Sequence, residues 1–250
     1  VVLLAVASSA RGATRYVENN GVDSTVCGIP LINGFTCGAQ TSPCRSISCA
    51  IREAAAGDTI VVGPGRYGDL NRDGALDDDG DEFGAAGCDC LVSVSKSLTI
   101  VSSHGAAATL IDAESVNLLR NVHLTADGGG FGKPRKGFMV TGTGATGFGS
   151  DRGHGIVVDG ATDVKIRGNQ LVHQRLIATE GYGIWVVDDG PGTVLIEENQ
   201  VVGRWEEGIA VRGSGERTVR KNHVSGPRFS CIVFYQGGQG TIAGNHVSGC

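Results

Sequence analysis

The densest group of side chains able to do chemistry is the run Asp69-Leu70-Asn71-Arg72-Asp73-Gly74-Ala75-Leu76-Asp77-Asp78-Asp79-Gly80-Asp81-Glu82. Oxygen ligands stand at its first, third, fifth and ninth positions, and Gly74 at the sixth permits a tight turn, which is the pattern of a calcium loop. Calcium takes about six to eight oxygens, and carboxylates this close repel one another unless a cation lies between them. Gly80 stands at the twelfth position, where a bidentate Glu belongs, so Asp81 or Glu82 has to substitute. The expected ligand set is Asp69, Asn71, Asp73, Asp77, Asp79, Asp81 and Glu82, holding a structural rather than a catalytic ion. The plainer alternative is a solvated acidic loop.

A second set, Asp159, Lys165, Trp185, Arg212, Arg220 and Tyr235, is suited to carbohydrate. Trp185 offers a flat face for stacking, and the basic groups would grip an acidic sugar. Elimination from a uronate needs a cation to neutralise its carboxylate and an Arg or Lys as base. No pair of acids recurs at a spacing that supports a hydrolase. Exposed strand faces are also ordinarily polar, and scattered cations keep such faces soluble. No catalytic set is recognisable, so catalysis stays open.

The elements that must position these residues are written four times over the last hundred residues. Gly155-Ile156-Val157-Val158 recurs as Gly183-Ile184-Trp185-Val186, Gly208-Ile209-Ala210-Val211 and Cys231-Ile232-Val233-Phe234. After each copy a second apolar run ends on an asparagine: Asn169, Asn199, Asn222 and Asn245, spaced 30, 23 and 23 apart. Such a period, built of short strands and Gly/Asn turns, signals a solenoid whose coils bury an inner face only by stacking. Alternation predicts Ile156, Ile184, Ile209 and Ile232 in one inner row and Val158, Val186, Val211 and Phe234 in another, with Val157 and Asp159 outward. Asp159, Arg212 and Tyr235 then share an outer strand position, with Lys165, Arg167 and Arg220 on the next wall. The asparagines fall at one turn, where Asn tolerates left-handed geometry and its amide can bond along the stack.

These repeats resemble those of right-handed parallel β-helix proteins of the pectate-lyase-like superfamily. The segment Ala50-Ile51-Arg52-Glu53-Ala54-Ala55-Ala56-Gly57-Asp58-Thr59-Ile60-Val61-Val62-Gly63-Pro64-Gly65-Arg66-Tyr67 is similar to that family's entry segment, where a short helix plugs the solenoid. The resemblance spans about residues 45–250. It implies an all-β, right-handed parallel β-helix with an N-terminal capping helix, and a polysaccharide or cell-surface glycan as partner. If the chain is an enzyme, the resemblance implies a polysaccharide lyase or glycoside hydrolase. The same fold also serves as an inert or adhesive solenoid, so it does not fix activity. Gly153-His154-Gly155 is similar to a polygalacturonase motif, but Asp188-Asp189 follows it rather than preceding it. His154 also stands where Tyr182, Glu207 and Ser230 stand, which reads as a surface position.

Ile47, Ala50, Ile51 and Ala54 predict a helix over 46–56 closed by Gly57. Residues 126–151, rich in glycine and carrying Lys133-Pro134-Arg135-Lys136, are expected to leave the solenoid as a long loop. Residues 1–13 read as the remnant of a signal peptide, which makes the chain secreted or displayed at a cell surface. Eight cysteines then favour disulfides, with Cys27, Cys37, Cys44, Cys49, Cys88 and Cys90 expected to staple the cap to the 83–91 segment. Zinc is disfavoured, since no Cys-x-x-Cys occurs and His is not interleaved; His223 and His246, one coil apart, are too few. A formal charge of −5 leaves no footprint for nucleic acid. The domain reading is 1–13 leader, 14–58 cap with helix and 59–250 coils, expected to continue past Cys250 because no terminal cap is visible.

Overall fold

The computed structural model describes residues 12–23, 37–76, 81–85, 87–113, 116, 118–141, 153–173, 181–187, 191–235, 237 and 239–250. Three parallel sheets form the walls. The first contains β1 (Thr14–Val17), β2 (Thr59–Val62), β5 (Thr99–Ser102), β8 (Gly130–Phe131), β11 (Val164–Arg167), β14 (Val194–Glu197), β17 (Glu216–Arg220) and β20 (Gln239–Ala243). The second contains β3 (Gly65–Gly68), β6 (Thr109–Asp112), β9 (Met139–Thr141), β12 (Gln170–His173), β15 (Gln200–Gly203), β18 (His223–Ser225) and β21 (His246–Ser248). The third contains β4 (Cys90–Val94), β7 (Arg120–Leu124), β10 (His154–Asp159), β13 (Ile184–Val187), β16 (Glu207–Arg212) and β19 (Ser230–Phe234). Each strand pairs in parallel with its counterpart one coil away. This is a right-handed parallel β-helix.

The rows stack as the alternation requires. Ile156 lies opposite Ile184, Ile184 opposite Ile209 and Ile209 opposite Ile232, with Val158, Val186, Val211 and Phe234 in the next inner row. Ile156, Ile184 and Ile209 are fully buried, and each contributes on the order of 1.5–3 kcal/mol by leaving water. The outward row differs from expectation, because Val157 and Ala210 are buried too. In register Val157 lies between His123 and Trp185, and Ala210 between Trp185 and Val233, so larger neighbours shadow the small side chains.

The asparagine corner is a continuous ladder. Asn222 Oδ1 accepts the backbone N–H of Asn199 at 2.9 Å and its Nδ2–H at 3.1 Å, and Asn222 Nδ2 donates to Ile196 O at 3.0 Å. Asn199 serves Asn169 in the same way, and Asn245 serves Asn222. The left-handed residue, however, is the one before each asparagine: Gly168 (φ 66°), Glu198 (57°), Lys221 (56°) and Gly244 (61°). Turning the corner one residue early aims the amide into the stack.

Residues 126–141 do not leave the solenoid. They supply β8 and β9 and place Phe131 and Phe138 in the core with ring centroids 4.6 Å apart. Lys133-Pro134-Arg135-Lys136 is only the turn between those strands, with Lys136 N donating to Lys133 O at 2.8 Å. Residues 1–11 of the expected leader (1–13) and 142–151 of the expected loop lie outside the described residues.

The cap is organised by charge. Helix α1 (Ile47–Glu53) starts at Ser46, whose hydroxyl accepts from Cys49 N at 3.1 Å, and buries Ile47, Ala50 and Ile51. It stops short of the expected 56. Lys96 Nζ donates to the carbonyls of Ile51, Arg52 and Ala54 at 2.9, 2.8 and 2.7 Å and closes the last turn; Gly57 instead turns the chain into β2. Opposite, Glu82 accepts from Ile47 N, Ser48 N and Ser48 Oγ at 2.5, 2.8 and 2.6 Å. The Glu82 carboxyl caps the free N–H groups of the first turn, and the Lys96 cation complements the helix dipole at the last. The solenoid sheet begins inside the cap, since β1 pairs with β2.

The expected staple between cap and 83–91 segment is also different. Cys37 bonds Cys44 within the cap, Cys88 bonds Cys90 within its own segment, and Cys231 bonds Cys250. Cys27 lies outside the described residues. Glu82, not sulfur, makes the tie described here.

Candidate functional site

The third wall carries the candidate site. One column along it runs Cys90, Arg120, His154, Tyr182, Glu207 and Ser230, each opposite the next. The sequence suggests a surface position for the last four. Instead β10 and β16 begin at His154 and Glu207, so these residues belong to the sheet and are 1% and 7% exposed.

His154 Nδ1 accepts the backbone N–H of Tyr182 at 3.0 Å, which puts the ring proton on Nε2. Its ring lies 5.2 Å from that of Tyr182 and 4.6 Å from that of Trp185, centroid to centroid. Burial, helped by the Arg120 charge, pushes the imidazole down to about 3, so it is neutral at pH 7. Glu207 Oε2 accepts from the Tyr235 hydroxyl at 2.6 Å. Burial raises the Glu207 carboxyl, and that hydrogen bond opposes the rise. Burial also raises the Tyr235 hydroxyl, with Glu207 and Tyr182 adding to it.

Above this column Tyr182, Trp185, Arg212 and Tyr235 line a depression of about 360 Å³. Three of the expected carbohydrate contacts, Trp185, Arg212 and Tyr235, therefore meet. Arg212 is exposed, Trp185 half-buried, and Tyr235 36% exposed. Aromatic faces, a guanidinium and a phenol beside a carboxylate suit a sugar ring carrying hydroxyls and an acid group.

The other three expected contacts go elsewhere. Asp159 lies 3.4 Å from His123 Nε2, and Val187 stands between it and Arg212 in the register. Lys165 and Arg220 stand on the first wall. Arg220 Nε is 2.8 Å from Glu197 Oε1, and Arg167 Nη2 is 2.8 Å from Glu197 Oε2. Burial of Glu197 would raise its carboxyl, but Arg167 and Arg220 overcome this and hold it below the ordinary value. Arg220 thus already pairs with a buried carboxylate, while 46% of its side chain stays exposed. Glu197 went unnoticed because a glutamate at the end of an apolar run reads as an outward residue.

The acidic loop is only partly as expected. Asp69 accepts from Arg72 N at 2.6 Å and Gly74 N at 2.8 Å, and Asp81 accepts from Leu70 N at 2.7 Å. Asn71 Nδ2 donates to Asp73 Oδ2 at 2.9 Å, both residues being exposed. Glu82 is spent on α1, since three donors there take both its oxygens. Asp77 and Asp79, like Asp188 and Asp189, lie outside the described residues. Among the described residues this loop's carboxylates do not gather in a group of three; two groups elsewhere do, Asp23 with Cys37, Cys44 and Cys49, and Cys88 and Cys90 with His123.

Comparison with known families agrees with the fold. The family model of the right-handed beta helix region matches residues 154–250, the coils that hold this depression. No curated protein and no solved structure matches the chain. No helix among the described residues is long and apolar enough to cross a membrane. The molecule is a right-handed parallel β-helix protein.

Proposed function

We propose that this chain is an exported β-helix protein that binds extracellular polysaccharide, acidic in character, in the depression on its third wall. The observation that supports this is the meeting of Trp185, Tyr182 and Tyr235 around Arg212. Binding is favoured over cleavage. Hydrolysis needs a second carboxylate facing the first; among the described residues none that lines the depression is a carboxylate, and Glu207 reaches it only through its hydrogen bond with Tyr235. The test is a titration of pectate and alginate oligosaccharides followed by tryptophan fluorescence in a Trp205→Phe background, since Trp205 is the buried second tryptophan. Micromolar to millimolar binding is expected, weakened about tenfold by Arg212→Ala or Trp185→Ala, a loss of about 1.4 kcal/mol. No fluorescence change with any acidic glycan overturns the reading.

A second reading, a surface solenoid whose function is rigid length, is favoured by the unbroken asparagine ladder. It is the reading left standing if the titrations fail. Calcium enters the proposal as a structural ion over the loop of Asp69, Asn71, Asp73, Asp77, Asp79 and Asp81, with Glu82 turned toward α1 instead. Chelation should lower the melting temperature by several degrees; an unchanged melt removes the ion.

A further inference from the structure

The Cys88–Cys90 bond behaves unlike a staple. The chain-entropy contribution of a disulfide grows with the loop it closes, and its cysteines are 2 apart, against 7 for Cys37–Cys44 and 19 for Cys231–Cys250. The segment is already held without it, by the β4–β7 ladder and by the Cys88 N–H to Ala85 O bond of 2.8 Å. A bond that adds so little to the fold invites a chemical reading, and its surroundings supply one.

Cys88 is half-buried and Cys90 is buried. His123 Nδ1 lies 3.4 Å from Cys88 Sγ, and His123 Nε2 lies 3.4 Å from Asp159 Oδ2. The carboxylate selects the tautomer with the proton on Nε2, which leaves the Nδ1 lone pair facing sulfur. Arg120 stands opposite Cys90 in the parallel register, so both side chains share a face. Its Nε is buried and has no hydrogen-bond partner among the described residues. A cation there stabilises a thiolate on Cys90. Asp89, between the two cysteines, accepts from Leu119 N at 3.2 Å. Gly84 keeps the segment close, since a Cβ on it would lie 2.9 Å from Cys90 Sγ.

We propose that Cys88–Cys90 is a thiol–disulfide exchange centre that oxidises dithiols, with His123 as its proton acceptor, Asp159 as the residue positioning His123, and Arg120 as the counter-charge for the leaving sulfur. The first thiol of a dithiol gives its proton to His123 Nδ1 and attacks Cys88 Sγ. The Cys88–Cys90 bond breaks and its electron pair leaves on Cys90, beside Arg120. The second thiol then attacks the substrate sulfur of the mixed disulfide and expels Cys88, which regains the proton from His123, while the second thiol's proton reaches Cys90 through solvent. Two electrons and two protons pass to the protein, and the substrate leaves as a disulfide. Stabilising the reduced form makes such a centre more oxidising than an ordinary structural disulfide.

The experiment exposes the folded chain to graded dithiothreitol at several pH values, traps thiols with maleimide and maps them by mass spectrometry. Cys88–Cys90 should open at least tenfold faster than Cys37–Cys44 and Cys231–Cys250, oxidising one dithiothreitol per chain. The rate should show a pH inflection that His123→Ala abolishes and Asp159→Asn shifts, with melting temperature monitored in each; if His123→Ala fails to fold, Asp159→Asn carries the test. Equal opening of the three bonds overturns the proposal, as does a rate and pH profile that both folded variants leave unchanged. So does a reduced chain that holds stoichiometric zinc on Cys88, Cys90 and His123 and does not reform the bond with oxidised glutathione, which would make the cluster a metal site.

Discussion

Two stacks of side chains run the length of the same coils and are built on opposite plans. At the asparagine corner one residue type repeats, and each copy bonds the next with the same atoms. In the column of the third wall the type changes at every coil, from His154 to Tyr182 to Glu207 to Ser230, and the contacts change with it. The backbone stacking is equivalent in both. Repetition thus marks a position whose partner is the chain itself, where each amide satisfies groups that would otherwise be buried unpaired. Variation marks a position whose residues are chosen for something other than stacking. Here Tyr182 lines the depression, His154 packs against Trp185 and Glu207 holds the Tyr235 hydroxyl.

The strongest way to break this contrast is Asn222→Ala. It strands the Asn199 N–H and the Ile196 carbonyl inside the protein, so a loss of about 3 kcal/mol in urea unfolding is expected. Trp185→Ala, by contrast, uncovers Val157, Ala210 and one side of His154 but strands no buried polar group, so a smaller loss of about 1 kcal/mol is expected. A mild Asn222→Ala would erase the distinction.

His154 gives the next largest effect. Its folded-state value, about 3, lies below the ordinary 6.5, so the unfolded chain binds a proton that the folded chain refuses. Its stability contribution is complete above pH 6.5 and falls as pH drops toward 3. Between pH 6.5 and 5 the loss is about 2 kcal/mol. Glu82 acts in the opposite sense. Burial raises it to about 7 from 4.5, so its contribution is present below 4.5 and lost as pH rises toward 7. The readout is therefore the stability difference between parent and His154→Gln at each pH, in which Glu82 cancels. A flat difference would place a charged His154 in solvent and dissolve the buried column.

The smallest effect sharpens the corner. Glu198 holds φ 57°, a conformation costing an ordinary residue about 1 kcal/mol. Glu198→Gly should change unfolding stability by less than about 1 kcal/mol in either direction, because relieved strain offsets lost chain stiffness. A large loss would mean the Glu198 side chain supports the turn.

The repeat made most of this fold readable. Inner rows at Ile156 and Val158 followed from alternation, and the ladder from the asparagine period. Glycine density misled at 126–141, where Phe131 and Phe138 are a coil's core residues spaced by a turn rather than by an apolar run. The site was half legible. Trp185, Arg212 and Tyr235 could be named because the first two occupy outward strand positions and Tyr235 follows β19 directly. His154 and Glu207 were misplaced because their strands begin two residues before the apolar signal. The pairing of Arg220 with Glu197, and the approach of His123 to Cys88 across 35 residues, depend on which coils face each other, and neither leaves a local trace.

The asparagine corner has an evolutionary reading as well. Asn199, Asn222 and Asn245 present the same donors and acceptors at the same separation of 23. A coil removed whole, such as residues 200–222, would bring Asn245 into the place Asn222 had held beneath Asn199. The corner cannot distinguish one coil from another. Such a lineage can lengthen or shorten by single coils while its walls stay in register, and each change would insert or delete one position of the variable column. Binding character could then shift in a single genetic step, with the scaffold unaltered.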